Sequence, residues 1–514
     1  MSLSRALALL LLIVPARAKA LTPGDSPHFP VALASEVFTE ALSFIQPRTL
    51  EAYSLATLAL WGLRGLSALD PSLSTNISGA TLRLAAPDRI LAVEPEPGPA
   101  DAAGWGQAIA SLAAVAWRHS PSVRALGPSG VTEAFFDELF NHFDPYSRYV
   151  PPGQAAVERA QRSGRAGAGL VLAAENRTIV IEAVIAGGPA AIAGVRPGER
   201  LVFVNGIPVA GKGIPAVQHE IGGPVGSSVV LTLAAPRRGF HSVTLVRRRV
   251  PPETVFASRS GSILVLRISG FDATTGIHLA DEVAAGLSTA HQPKGLVLDL
   301  RGNRGGLLDQ AVYAADALLR RGLIAYTVGR DPAALHVWEA GGADMASGLP
   351  IVVIVDGRTA SAAEVLTAAL EDNGRAVVVG SATLGKGLVQ TIEPLPDGGE
   401  LFVTWSQVLA PRGWPIEGLG VLPEVCTSVG QLELGRQLAS LAQGVQPMAR
   451  DIYQHETARA PLPLAQILAI RGTCPAAVGT GLDMAAARAL IQNPAAYAAA
   501  LLPPAGRPLP PPLR

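Results

Sequence analysis

Along the first third of the chain, apolar residues fall at helical spacing. Val37-Phe38-Thr39-Glu40-Ala41-Leu42 and residues 50–66 carry that period, as does the block ending Val131-Thr132-Glu133-Ala134-Phe135-Phe136-Asp137-Glu138-Leu139-Phe140. A Pro/Glu/Gly-rich stretch, 93–103, separates them, so residues 21–150 are expected to form a helical region. The pattern then shifts. Between about 155 and 250, β-branched runs split by glycines predict strands at Thr178-Ile179-Val180-Ile181, Leu201-Val202-Phe203-Val204 and Ser228-Val229-Val230-Leu231-Thr232-Leu233. From about 255 to 430, strand and helix alternate: strands at 263–268, 296–300, 351–355 and 376–379, helices at 275–287, 309–319 and 362–372. Strands as uniformly apolar as Ile351-Val352-Val353-Ile354-Val355 belong to a largely parallel sheet covered on both faces. Residues 431–514 read as an Ala-rich helical extension whose tail, 503–514, is Pro-rich and expected to be disordered. The fold class expected is therefore multidomain α+β, with an α/β core.

The first residues follow neither period. Arg5 precedes an apolar run over 6–14, Pro15 breaks it, and Ala16, Ala18 and Ala20 offer small-residue cleavage sites. The run is shorter than the ~20 residues a bilayer span takes. Residues 1–20 thus read as an export signal, with an uncleaved anchor as the alternative. Lys plus Arg and Asp plus Glu each total 41, so no basic excess marks a nucleic-acid binder. At 514 residues, 49% hydrophobic and 16% charged, the chain is globular and too long for one core. Its two cysteines, Cys426 and Cys474, fit either one disulfide or two buried thiols.

Candidate chemistry sits at Asp356-Gly357-Arg358-Thr359-Ala360-Ser361-Ala362-Ala363-Glu364. A buried strand ends before it and a helix starts after Ser361, so the serine faces the carboxyl edge of the sheet, where α/β proteins place ligands. Its oxygen would lie at the positive end of a helix, beside amides able to hold an oxyanion. Taken alone, the same serine is better explained as an N-cap than as a nucleophile. The second segment changes the balance. In Ser381-Ala382-Thr383-Leu384-Gly385-Lys386-Gly387-Leu388-Val389-Gln390, Lys386 is the sole charge between Arg375 and Glu393. Small apolar flanks strip hydration from an amine and make its neutral form available as a base. None of the nine histidines falls in either motif, and no Cys/His or Asp/Glu cluster has metal-ligand spacing, so no metal or cofactor is inferred.

These two segments, 25 residues apart from serine to lysine, resemble the motifs of the carboxyl-terminal processing (tail-specific) serine peptidases. The resemblance extends to Phe143-Asp144-Pro145-Tyr146-Ser147-Arg148-Tyr149, to Asp299-Leu300-Arg301-Gly302-Asn303-Arg304-Gly305-Gly306, and to Gly418-Leu419-Gly420-Val421-Leu422-Pro423-Glu424. It implies a ClpP/crotonase-like peptidase core over 255–430, with Ser361 as nucleophile, Lys386 as base and Gln390 orienting the lysine. It also implies an oxyanion hole from the amide of Ala362 and one of Gly305 and Gly306. Asp372 and Thr383 match supporting polar positions. Arg304 stands where the family usually has proline, Leu384 replaces an aromatic, and Ala363 replaces a serine.

Residues 155–250, with Gly187-Gly188-Pro189-Ala190-Ala191 and the Val204-Asn205-Gly206 hairpin, resemble a PDZ domain. Such domains bind extended tails by strand addition, and the loop Gly167-Ala168-Gly169-Leu170 is the expected carboxylate nest. The partners implied are protein substrates with accessible C-terminal tails, with room for a periplasmic adaptor and a homodimer, in a bacterial periplasm or cell envelope. A silent PDZ adaptor and an acyl-thioester enzyme are the competing classes. The first needs neither Ser361 nor Lys386, and the second needs no PDZ domain.

Overall fold

A computed structural model describes residues 28–163, 165–175, 178–185, 187–235, 239–250 and 252–503. The export segment and the Pro-rich tail beyond Pro503 lie outside the described residues. The described chain divides into two compact units, one formed by residues up to Gln46, by Tyr53–Pro151 and by Pro394–Asp397, the other by the remainder.

In the first unit, the helices Val31–Arg48, Leu55–Leu69, Ala102–His119 and Gly127–Phe140 bury one apolar stripe each. Phe38, Phe136, Trp105 and Ile109 are among the fully enclosed side chains, and the Phe38 ring meets that of the buried Phe135 at 4.5 Å. Glycine sets the helix spacing: a Cβ on Gly62 would fall 2.3 Å from the Phe135 ring. The unit also holds an antiparallel meander, Ser74–Ile77, Thr81–Ala86 and Arg89–Pro95, in a region read from sequence as helix and linker. Its outer strands are mostly exposed, so they lack the apolar alternation that marks a strand.

Within the second unit, a six-stranded antiparallel sheet runs in the order Gly239–Val246, Ser228–Ala235, Arg200–Val204, Thr178–Val184, Leu170–Glu175, with Ile207–Pro208 paired to Arg200–Val204 off this path. Ser228–Ala235 alternates burial residue by residue, and Val229, Leu231 and Leu233 meet Leu172, Ile181, Leu201 and Val217 in a single core. Asn205 and Gly206 both take positive φ, 50° and 79°, giving the tight turn expected between Arg200–Val204 and Ile207–Pro208. Leu170–Glu175 is an edge strand, and the helix Ile214–Ile221 lies beside it.

The α/β core is a six-stranded sheet ordered Val255–Ser260, Ile263–Ile268, Gly295–Asp299, Ile351–Val355, Ala376–Gly380, Val425–Cys426. The first pair is antiparallel and the rest parallel. The three central strands are buried along their whole length, as parallel strands covered on both faces must be. One face carries the helices Thr275–Leu287, Leu308–Leu318 and Ala362–Asp372, through Leu279, Ala311, Ala315, Leu366 and Leu370. The opposite face, Val297, Val352, Ile354, Val377 and Val379, is covered by Leu434, Leu441, Ala487 and Leu490 of the C-terminal extension. A second sheet, His336–Ala340, Gly322–Val328, Glu400–Leu409 and Leu388–Pro394, flanks this core. His336, which reads from sequence as part of a connection, instead opens a strand.

Cys426 and Cys474 are joined in a disulfide, with Cα atoms 5.7 Å apart, which settles the open choice between a bridge and two thiols. It ties the last strand of the core sheet to the segment that follows the helix Leu464–Gly472.

Candidate active site

The strand Ile351–Val355 ends in a turn held from within by Asp356. This carboxylate is fully buried and accepts the amides of Gly302, Arg358, Thr359 and Gly479 at 3.0, 3.0, 3.1 and 3.3 Å. Burial alone would push its pKa up, but these amides and the Arg358 guanidinium outweigh it and hold Asp356 below the usual carboxylate value. The turn delivers Ser361 to the start of the helix Ala362–Asp372. An ordinary N-cap takes β-region dihedrals. Ser361 has φ 59° and ψ −123°, a conformation costing roughly 1–3 kcal/mol for a side-chain-bearing residue. A residue that served only to cap the helix would not need that strain.

The glycine loop 302–306 packs directly on this turn. Asn303, fully buried, donates from Nδ2 to Ile268 O, accepts Gly305 N on Oδ1 at 2.8 Å, and accepts Ala360 N on its carbonyl at 2.9 Å. A Cβ on Gly305 would lie 2.7 Å from the Ser361 Cβ and 2.9 Å from Ala362 N, so only glycine permits this approach. Phe271 donates to Gly305 O, and Leu307 donates to Phe271 O. Gly306 N and Ala362 N donate to no protein group among the described residues. Of the two candidate glycines, Gly305 therefore has its amide committed and Gly306 does not.

The loop that carries Lys386 is tied by its backbone to the Ser361 turn. Leu384 N donates to Thr359 O at 2.9 Å. The stronger tie is Glu364, fully buried one turn after Ser361. Its Oε2 accepts both Ser361 N (2.7 Å) and Lys386 N (2.9 Å), and its Oε1 accepts Gly385 N (2.7 Å) and Thr383 Oγ1. Burial pushes the Glu364 carboxyl up, against the four donors. One carboxylate thus holds the backbone on both sides of the proposed pair, and sequence reading had taken Glu364 only as a motif position.

The remaining expected residues are spread more widely. Thr383 is buried against Glu364, and its hydroxyl also accepts Val421 N at 2.8 Å. Asp372 lies at the far end of the helix, accepting Arg412 N (2.8 Å) and Trp414 Nε1, with burial raising it to about 7. It braces a turn remote from Ser361. Gln390 donates from Nε2 to Leu388 O and Thr404 Oγ1, both at 3.0 Å. In the strand-rich domain, Ala168 O and Gly169 O accept Ala190 N and Ile185 N, fixing the loop 167–170, where Gly169 has φ +74°. No histidine is hydrogen-bonded to Ser361 among the described residues, and the buried His455 bonds Gly420 O instead.

Sheet, strained serine turn, glycine loop and adjoining lysine loop together define an α/β core carried in one chain with a separate strand-rich domain. Residues 262–427 match the model of Peptidase family S41, and residues 180–234 match that of the PDZ domain. The chain is similar to a carboxy-terminal-processing protease of Bartonella bacilliformis, 34% identical over 289 residues, which cover 55% of this chain and 66% of that relative. It is equally similar to a probable CtpA-like serine protease of Staphylococcus aureus, at 34% over 57% of that relative. The chain thus spans somewhat less than two thirds of the length of these relatives. Among solved structures, a photosystem II D1 C-terminal processing protease aligns over 74% of this chain and 97% of its own, at 25% identity and TM-score 0.37.

Proposed function

We propose that this chain is a serine endopeptidase that cleaves exported proteins near their C-terminus by a serine-lysine mechanism. The observation that carries the reading is the shared Glu364 oxygen, which holds the amides of Ser361 and Lys386 to one point. An adaptor would have no use for that arrangement or for a strained serine. In the reaction, the neutral amine of Lys386 takes the Ser361 hydroxyl proton as Oγ attacks the substrate carbonyl carbon. The tetrahedral oxyanion is held by the amides of Gly306 and Ala362. Collapse breaks the peptide C–N bond, and the Lys386 ammonium returns the proton to the leaving amine. Water, deprotonated by the same lysine, then hydrolyses the acyl-enzyme. Gln390 orients this lysine, as the motif resemblance implies, and its amide fixes the strand that follows the lysine loop.

Tail recognition is assigned to the PDZ domain. The unpaired edge of Leu170–Glu175, facing the helix Ile214–Ile221, suits strand addition, and the loop 167–170 stands at its start. Export rests on the reading of residues 1–20 and agrees with the Cys426–Cys474 bridge, a bond of oxidising compartments. No helix among the described residues is long and apolar enough to cross a membrane.

The test uses the chain without residues 1–20 and a loosely folded protein with a free apolar C-terminus, with fragments read by mass spectrometry. Cleavage by the wild type that disappears in both Ser361→Ala and Lys386→Ala is expected. Cleavage that survives in either variant would overturn the mechanism. Tight tail binding by all three proteins without any cleavage would favour an adaptor.

A further inference from the structure

The family-matched segment ends at residue 427, yet one side chain from well beyond it enters the catalytic framework. Arg471, near the end of the helix Leu464–Gly472, is half-buried. Its Nη1 donates to Leu419 O and its Nη2 to Thr383 O, both at 2.7 Å. The guanidinium therefore bridges two chain segments, the base loop and the glycine turn 418–420. Gly420, at φ +68°, makes room for it: a Cβ there would lie 2.8 Å from Arg471 Nη1 and 2.9 Å from Thr383 Oγ1.

From Thr383 the connection runs directly to the reacting pair. The Thr383 hydroxyl donates to Glu364 Oε1, and Glu364 Oε2 accepts Ser361 N and Lys386 N. Arg471 also interacts electrostatically with Glu364, and His455, packed nearby on Gly420 O, is held neutral by burial. The segment just past Arg471 is itself clamped to both catalytic turns. Cys474 is disulfide-bonded to Cys426 and accepts Ala382 N on its carbonyl, while Ala477 O accepts Gly357 N and Ser381 Oγ.

We infer that Arg471 is a positioning residue for the Ser361–Lys386 pair, so that the C-terminal extension completes the active site. The inference rests on the serine-lysine reading above. The planar fork holds one donor on each of two segments in a fixed geometry, whereas a lysine ammonium is a flexible point charge that does not fix the two carbonyls relative to one another. The role is distinct from general bracing, because the bond falls on Thr383, three residues before Lys386.

The experiment compares full-length wild type, Arg471→Lys, Arg471→Ala and Ser361→Ala. The readouts are peptide kcat and KM, the rate of Ser361 labelling by a fluorophosphonate, and the thermal unfolding midpoint. Misplacement of a reacting group by about 1 Å costs on the order of 10²-fold, so Arg471→Ala should lose about that in kcat with KM nearly unchanged. Guanidinium chloride at millimolar concentration should restore part of that loss. Arg471→Lys should keep the unfolding midpoint yet remain slower than wild type in turnover and labelling. Wild-type kcat in Arg471→Ala, or a loss that follows the unfolding midpoint and is not restored by guanidinium, would overturn the inference. Equal turnover by wild type and Ser361→Ala, or no labelling of wild type, would instead overturn the serine-lysine reading, and this inference with it.

Discussion

Replacing Glu364 by Gln tests whether a buried carboxylate sets the geometry of the proposed Ser361–Lys386 pair. The side chain is fully enclosed, and each oxygen serves two donors: Thr383 Oγ1 and Gly385 N on one, Ser361 N and Lys386 N on the other. Glutamine keeps the shape but turns one acceptor into an NH2 donor. Whichever way the amide lies, two buried donors then face a third. Leaving a buried donor unsatisfied costs roughly 1–3 kcal/mol, so the local penalty is about 2–6 kcal/mol. Part of this is offset, because burial already disfavours the Glu364 charge and the neutral amide escapes that cost. The net loss of global stability should therefore fall near the low end, about 2 kcal/mol.

Turnover has no such offset. With the amide nitrogen toward Ser361 and Lys386, both backbones are pushed from their shared anchor, while Leu384 N to Thr359 O still joins the two loops. A displacement of about 1 Å corresponds to a loss on the order of 10²-fold in kcat. Peptide turnover and fluorophosphonate labelling of Ser361, measured well below the unfolding midpoint, should both fall by that order with little change in KM. Retention of kcat within about threefold of wild type, far less than a 1 Å misplacement would cost, would refute the argument.

Two further outcomes follow from buried groups elsewhere in the core. The Cys426–Cys474 bridge closes a separation of 48 residues, for which chain entropy gives about 4 kcal/mol, so Cys426→Ala with Cys474→Ala should clearly lower the urea midpoint. A midpoint equal to that of the oxidised wild type would contradict this. Glu371 and Glu424 are buried together, and burial first, then their mutual charge, raises Glu371 well above its ordinary value; burial raises Glu424 to about 8. A carboxyl whose folded pKa is raised stabilises the fold fully below its unfolded value and ceases to do so as pH rises through the folded one. Wild-type stability should thus decline from about pH 4.5 toward and past pH 8, and Glu371→Gln should flatten that decline. Thermal unfolding across pH 5 to about 9 reads the difference, and a variant whose advantage shrinks with rising pH would overturn it.

What could be read from sequence follows from how local each signal is. The strands of the core sheet announced themselves because a parallel strand covered on both faces is apolar at every position, as in Ile351–Val355. The helix Ala362–Asp372 spans the residues expected of it, starting directly after the polar turn that carries Ser361. Ser74–Ile77 and Arg89–Pro95 did not announce themselves, because most of their positions face solvent and carry no alternation. Leu388–Pro394 escaped for a related reason: its residues are almost uniformly half-buried, so neither face is marked. The polar residues that assemble the site were the hardest to find. Glu364 acts on positions 19–22 residues away, Asp356 on Gly302 and Gly479, and Asn303 on Ile268 and Ala360. Their one local trace is chemical, an acidic residue in the first turn of a helix that is otherwise buried on every side.

That locality also explains why the motif-bearing segment is not the whole physical unit. A sheet such as this one, with Val297, Val352, Val377 and Val379 on its second face, needs a second layer of comparable apolar area, and nothing between 262 and 427 supplies it. The helices Gln431–Ala442, Gly481–Gln492 and Pro494–Ala500 do so. Once the extension must pack there for stability, the segment joining its helices necessarily passes the carboxyl ends of the same strands, where the serine and lysine turns lie. Gly479 N on Asp356, Ala477 on Gly357 and Ser381, and Arg471 on Thr383 are the contacts made along that passage. The same sequence that completes the core thus constrains the site, and substitutions in it should be read in activity as well as in stability.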